Sequence, residues 1–198
     1  MGREPIHIRV ARVEKVVPML KRMVDQGFAS CDASRKRLAA TVCVLLATGC
    51  RPGTQANVGK HSTYGLTTVT FDHIRTKNVC VFLSYIGKKS VQQSHRVCNP
   101  QLVAWIRGIT PPARPFVTAE ALRKAFAPLG IRPKDVRTWK ANQVFRANRA
   151  RGASETDALL ATAACLGNTA RITRTAYVAP GLLGRKPSAT ARHPAKKS

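Results

Sequence analysis

Tyrosines stand at positions 64, 85 and 177 of a 198-residue chain that carries 34 Lys and Arg residues against 9 acidic ones. Phenol, guanidinium and ammonium groups can together break a phosphodiester without a metal. One attacks phosphorus, others neutralise the charge on the nonbridging oxygens, and an acid protonates the leaving oxygen. Arginine suits the middle role, because its planar fork makes two hydrogen bonds to phosphate oxygens and stays charged. A phenol, with an ordinary pKa of about 10, needs nearby cations to become a nucleophile. Basic residues are so abundant that single positions decide nothing, and residue chemistry alone does not choose among the three tyrosines.

Five local strings narrow the field: Leu45-Leu-Ala-Thr-Gly-Cys-Arg51-Pro-Gly53, Tyr64-Gly-Leu-Thr-Thr68, Gly87-Lys88, Lys134-Asp-Val-Arg137-Thr-Trp139, and Leu166-Gly-Asn168-Thr followed by Tyr177. The elements that hold them can be read from periodicity. Val13, Val16, Val17, Leu20, Met23 and Val24 recur at helical spacing, with Pro18 a kink or a first-turn proline and Gly27 the stop. A second helix runs from Ser34, as N-cap, to Gly49, so Arg51 emerges at a helix end. Segments 65–71, 79–86 and 91–97 are rich in β-branched residues or alternate, and Gly87 to Ser90 joins the last two as a hairpin.

After Pro100 the pattern returns to helix, around 100–108, 118–129, 135–150 and 154–166, the last opened by a Ser154/Asp157 capping box. Trp139 is expected to anchor its helix in the core and leave Arg137 at the rim. The fold class is therefore α+β, mainly α-helical, with a small antiparallel three-stranded sheet. Residues 1–183 form one domain, and 184–198 read as a basic tail too poor in apolar residues to fold alone.

A formal charge of +25 calls for a polyanionic partner, nucleic acid first. The bases are scattered rather than gathered on an amphipathic face, which argues against a membrane surface, and no apolar run reaches the length of a span. The six cysteines form no C-x-x-C pair and suggest neither a metal site nor a disulfide framework. Cys43 and Cys165 read as buried free thiols, which fits an intracellular compartment.

Taken together and in this order, the five strings resemble the catalytic domain of a type IB DNA topoisomerase. The resemblance implies a double-stranded DNA partner and Tyr177 as the nucleophile that becomes joined to the 3′ end of a nicked strand. It implies Arg51 and Arg137 as braces of the phosphoryl oxygens, Lys88 or its neighbour Lys89 as the acid at the departing 5′ oxygen, and Asn168 as an amide donor. Lys60, Tyr64 and Lys89 are then expected to contact DNA. Neither ATP nor a metal cofactor is implied. Many members of the resembled family place histidine at position 168, so charge stabilisation there is expected to be weaker.

Tyrosine recombinases and integrases share this chemistry, but their second arginine usually follows a His-x-x-Arg pattern, where this chain has Lys134-Asp-Val-Arg137. A noncatalytic basic DNA-binding protein of the same fold is the third reading. The short stretch before Arg51 leaves no room for the β-rich clamp domain of the resembled enzymes. A monomer that grips DNA from one side, or with a separate clamp-forming partner, and that weakens steeply with salt, is expected. The expected location is intracellular and DNA-associated.

Overall fold

A computed structural model describes residues 4–111 and 113–184. The basic-tail expectation for 185–198 lies outside the described residues. The chain begins with two helices, α1 (Ile6–Ala29) and α2 (Ala33–Thr48), which pack against each other. α1 passes unbroken through Pro18, and Gly27 does not end it. A side-chain carbon at Gly27 would come within 2.6 Å of Ala39 Cβ, so this glycine lets the two helices approach rather than acting as a stop. α2 starts two residues earlier than expected because Asp32, not Ser34, is the cap: its carboxylate accepts from the Ser34 amide at 2.7 Å.

A short helix α3 (Gln55–His61) and a run of turns follow. The expected strand at 65–71 is not formed; those residues are instead tied to the Arg51 segment, as described below. The sheet consists of β1 (Ile74–Lys77), β2 (Cys80–Gly87) and β3 (Val91–Cys98), in the antiparallel order β1-β2-β3. Val81, Leu83, Tyr85 and Gly87 face inward from β2, leaving Phe82, Ser84 and Ile86 outside, which is the period-2 alternation of a half-covered sheet.

Cys80 and Cys98 are register partners at the end of the hairpin away from Lys88, and they are joined by a disulfide. This corrects the expectation of no disulfide. The two positions are 18 apart in sequence, and only the hairpin register sets them face to face. Cys43 and Cys165 are free, but half-buried rather than buried, while Cys50 is fully enclosed.

The remaining helices are α4 (Pro100–Arg107), α5 (Ala119–Phe126), α6 (Pro133–Ala150), α7 (Glu155–Leu166) and α8 (Ala170–Ala176). The main core gathers α1, α2, the inner face of the sheet, α4, α5 and the start of α6. Smaller apolar clusters lie beyond it. One joins Phe145, Ala158, Leu159 and Val178; another joins Ala141, Leu166 and Tyr177. α6 runs from the main core into these clusters and so fixes how the C-terminal segment sits.

Its first turn is held by a buried ion pair between Arg9 Nε of α1 and Asp135 Oδ1, at 2.8 Å. The other Asp135 oxygen accepts from the Arg132 amide as a cap. No helix among the described residues is long and apolar enough to cross a membrane.

Candidate active site

Three chain segments meet at the seam between the main core and the C-terminal clusters, and each carries one of the expected polar residues. The first is the end of α2. Gly49 takes a left-handed conformation that stops the helix, and the chain turns into Cys50-Arg51-Pro52-Gly53. The Tyr64–Thr68 string runs directly beside it: the Leu66 amide donates to Arg51 O at 2.8 Å and the Thr67 amide to Pro52 O at 2.7 Å. A side-chain carbon on Gly65 would lie 2.6 Å from Arg51 O and from Gly53 N, so the two strings can touch only because both supply glycine. They act as one structural unit that sets the direction of Arg51.

The second segment is α6. Arg137 is 1% exposed, the reverse of the expectation that it sits at the rim, and Trp139 is the partly buried residue. A guanidinium is tolerated inside because its hydrogen-bonding groups find acceptors. Nη1 donates to Gly49 O and Nη2 to Leu166 O, each at 2.7 Å. The carbonyl ends of α2 and α7 therefore both point at this cation, where helix dipoles favour positive charge. Arg137 Nε is buried with no protein partner.

The third is the turn after α7. Gly167 is left-handed, and Asn168 Oδ1 accepts from Arg51 Nη2 at 2.7 Å. With its oxygen engaged by Arg51, the Asn168 amide presents Nδ2, a buried donor without a protein partner.

Tyr177 caps the end of α8 and is 5% exposed. The Arg137 guanidinium carbon lies 5.1 Å from the centre of its ring. Burial pushes the Tyr177 phenol up, but Arg137, then Arg51 and Lys134, pull it down by more, and the net shift is below the ordinary phenol value. Arg51 is held lower than usual by burial and by Arg137. Tyr85, on the sheet, goes the other way: burial and then Cys50 drive its phenol well up, outweighing the same two arginines.

Lys88 is exposed at the hairpin tip and borders a cleft of 510 Å³ together with Arg51, Tyr64, Arg123, Arg132 and Lys134. Lys89 has a positive φ of 63° and borders an adjoining 450 Å³ hollow that Lys88, Asn57 and Thr63 also line, so of the two lysines Lys88 is the one that lines the cleft with Arg51. Tyr64 packs against His73 in a tilted ring pair, 4.2 Å between ring centres, and lines the cleft. Lys60 is exposed on α3. The structure thus brings Arg51, Arg137, Asn168 and Tyr177 together and puts Lys88 on the same cleft as Arg51, while Lys60 and Lys89 lie outside this group. Among the described residues no cluster of His, Cys, Asp and Glu could hold a metal ion.

One residue in the site was not foreseen. Asn142, fully buried on α6, donates from Nδ2 to Tyr177 O and to Thr138 O, both at 2.7 Å, and its Oδ1 accepts from the Ala179 amide at 2.9 Å. It clamps the backbone on both sides of Val178 and so fixes the tyrosine. A lone asparagine in a helix gives no sequence signal, because its partner lies 35 residues away.

The family described as eukaryotic DNA topoisomerase I, catalytic core, matches residues 7–109. That stretch contains Arg51, Tyr64 and Lys88 and stops short of Arg137, Asn168 and Tyr177. No curated protein sequence matches significantly. Among solved structures, the XerH site-specific recombinase bound to difH substrate before cleavage is similar at 15% identity and a TM-score of 0.50, covering 78% of this chain and 47% of the recombinase. The same recombinase on a palindromic difH substrate after cleavage gives 14% identity and a TM-score of 0.53, covering 80% and 47%. The chain thus spans about half the length of these recombinases, and at such identity the likeness shows a shared fold. With just over half of its residues matched to it, the chain belongs to the family of the eukaryotic DNA topoisomerase I catalytic core, within the superfamily of topoisomerase IB enzymes and tyrosine recombinases.

Proposed function

We propose that the protein is a type IB DNA topoisomerase that relaxes supercoiled duplex DNA by nicking one strand through Tyr177 and rejoining it. The observation that carries this reading is the company of Tyr177: a phenol shifted downward by Arg137, Arg51 and Lys134, with unpartnered donors left on Arg137 Nε and Asn168 Nδ2. A phosphate diester placed there would meet a phenol whose ionisation is favoured by neighbouring cations and a set of donors for the charge that grows on its oxygens.

In the forward step the Tyr177 phenolate oxygen attacks phosphorus, the bond from phosphorus to the 5′ oxygen breaks, and Lys88 gives that oxygen a proton. Religation is the same step reversed, with the 5′ hydroxyl attacking and the phenolate leaving. One phosphodiester is exchanged for another, so no ATP is consumed. Lys88, exposed on the hairpin, and Arg51 border the same cleft, which supports their acting on one phosphodiester.

The test is relaxation of a supercoiled plasmid in EDTA without ATP, with Tyr177→Phe as control and mapping of the covalent DNA adduct. Relaxation by the native chain with an adduct on Tyr177 is expected. Joining of defined sites in place of relaxation would make the protein a recombinase, and tight binding with no nick would leave a DNA-binding protein of the same fold.

A further inference from the structure

The loop that carries Lys88 and the turn that carries Asn168 belong to different parts of the fold, the sheet and the C-terminal helices. Each is preceded by a glycine, Gly87 and Gly167. Both glycines lie against the same side chain. A carbon added to Gly87 would be 2.8 Å from Gln93 Cγ. One added to Gly167 would be 2.0 Å from Gln93 Nε2, 2.3 Å from Oε1 and 2.5 Å from Cδ. Gln93 sits on β3 opposite Tyr85 and is 8% exposed, so it faces the interior although it is a polar residue.

Its amide nitrogen makes only long contacts within its own strand, to Val91 O at 3.4 Å and Gln92 O at 3.3 Å. Such distances lie beyond the usual range for strong N–H···O bonds. Contact with the two glycines, rather than hydrogen bonding, therefore fixes this side chain. The turn it touches is the one whose Leu166 carbonyl holds Arg137 and whose Asn168 holds Arg51.

We propose that Gln93 is a positioning residue: its side chain, wedged between Gly87 and Gly167, sets the distance between the Lys88 hairpin and the turn that organises Arg51, Arg137 and Asn168. This rests on the reading of Lys88 as the acid for the leaving 5′ oxygen. Removing the wedge deletes no reacting group but frees the hairpin that carries Lys88 to drift, and the step that suffers is proton delivery.

The experiment compares single-turnover cleavage of two duplexes, one with the normal 5′ oxygen and one with sulfur in its place, since a thiolate departs without a proton. Gln93→Ala is expected to slow the oxygen substrate by about tenfold to a hundredfold, to cleave the sulfur substrate within about threefold of the native rate, and to bind DNA with unchanged affinity. Gln93→Met, which keeps the length and drops the amide, recovers most of the loss. Equal slowing on both substrates, or none on either, overturns the proposal.

Lys88→Ala runs in parallel. Should it also slow both substrates equally, the acid role of Lys88 falls, and hydrogen exchange then decides the wedge by itself. Faster exchange in Gln93→Ala at both 87–91 and 166–169 supports the wedge, and a change confined to β3 or absent overturns it.

Discussion

Two tyrosines are buried within the influence of Arg51 and Arg137, and their phenols are shifted in opposite directions. Tyr85, on the inner face of the sheet, is 4% exposed and pushed up; Tyr177, at the end of α8, is 5% exposed and pulled down. Burial is the largest influence on both, so burial does not separate them. What differs is the company. Tyr85 faces Cys50, a thiol itself pushed up by complete enclosure. Tyr177 has Arg137 over its ring and Lys134 besides. A phenol becomes a candidate nucleophile when cations outweigh its desolvation, and at the sheet they do not.

The largest effect should come from exchanging the two residues for phenylalanine. Tyr177→Phe is expected to lower cleavage by about 10⁴-fold or more, whereas Tyr85→Phe stays within about tenfold; covalent adduct formation on a radiolabelled duplex measures both. A large loss at position 85 would erase the contrast.

Next is Arg137→Gln, expected to lower the cleavage rate by about 10²- to 10³-fold and to move the pH at which the rate levels off upward. Asn142→Asp keeps the size of the side chain but replaces the amide that donates to Tyr177 O and Thr138 O. On the proposed mechanism, misplacing Tyr177 should cost about 10- to 100-fold in the chemical step, with DNA affinity unchanged in a filter-binding titration.

The pH profile sharpens the comparison further. On the proposed mechanism the reactive form is the Tyr177 phenolate, whose pKa is lowered, so the single-turnover rate should rise with pH and level off below the ordinary phenol value of about 10. A bend at or above that value would mean the arginines do not act on Tyr177.

The last effect is on stability rather than rate and concerns His95, beside Tyr85 on the sheet. Burial and then Arg137 lower its pKa to about 4, and its Nε2 has no protein partner. The unfolded chain therefore binds a proton that the folded chain refuses between about 6.5 and 4. The stability this withholds is fully present above the upper value and lost as pH falls through the window, by up to about 3 kcal/mol. Chemical denaturation at several pH values should show a slope that flattens in His95→Phe.

The helices were legible because their apolar spacing and caps are local, and the β2–β3 hairpin because alternation and the Gly87–Ser90 turn are local too. The misreadings share a cause. Residues 65–71 have strand-like composition, yet the Leu66 and Thr67 amides are used by Arg51 and Pro52, a pairing visible only once α2 has ended in the right place. Arg137 was expected at the rim because Trp139 reads as the core anchor of the same helix; the carbonyls of Gly49 and Leu166 that allow its burial lie 88 and 29 residues away. Asn142, Gln93 and the Cys80–Cys98 link escaped notice for the same reason: their partners are set by tertiary approach, which periodicity does not encode.

The double anchorage of Arg137 has a consequence for regulation of the site by folding. Its guanidinium ties off two helices that are far apart in the chain, so fraying at the end of either one releases the cation from its seat. Catalytic competence should then vanish before global unfolding does, and a bound oxyanion, by engaging the remaining Nε donor, would be felt as added rigidity at both distant helix ends at once.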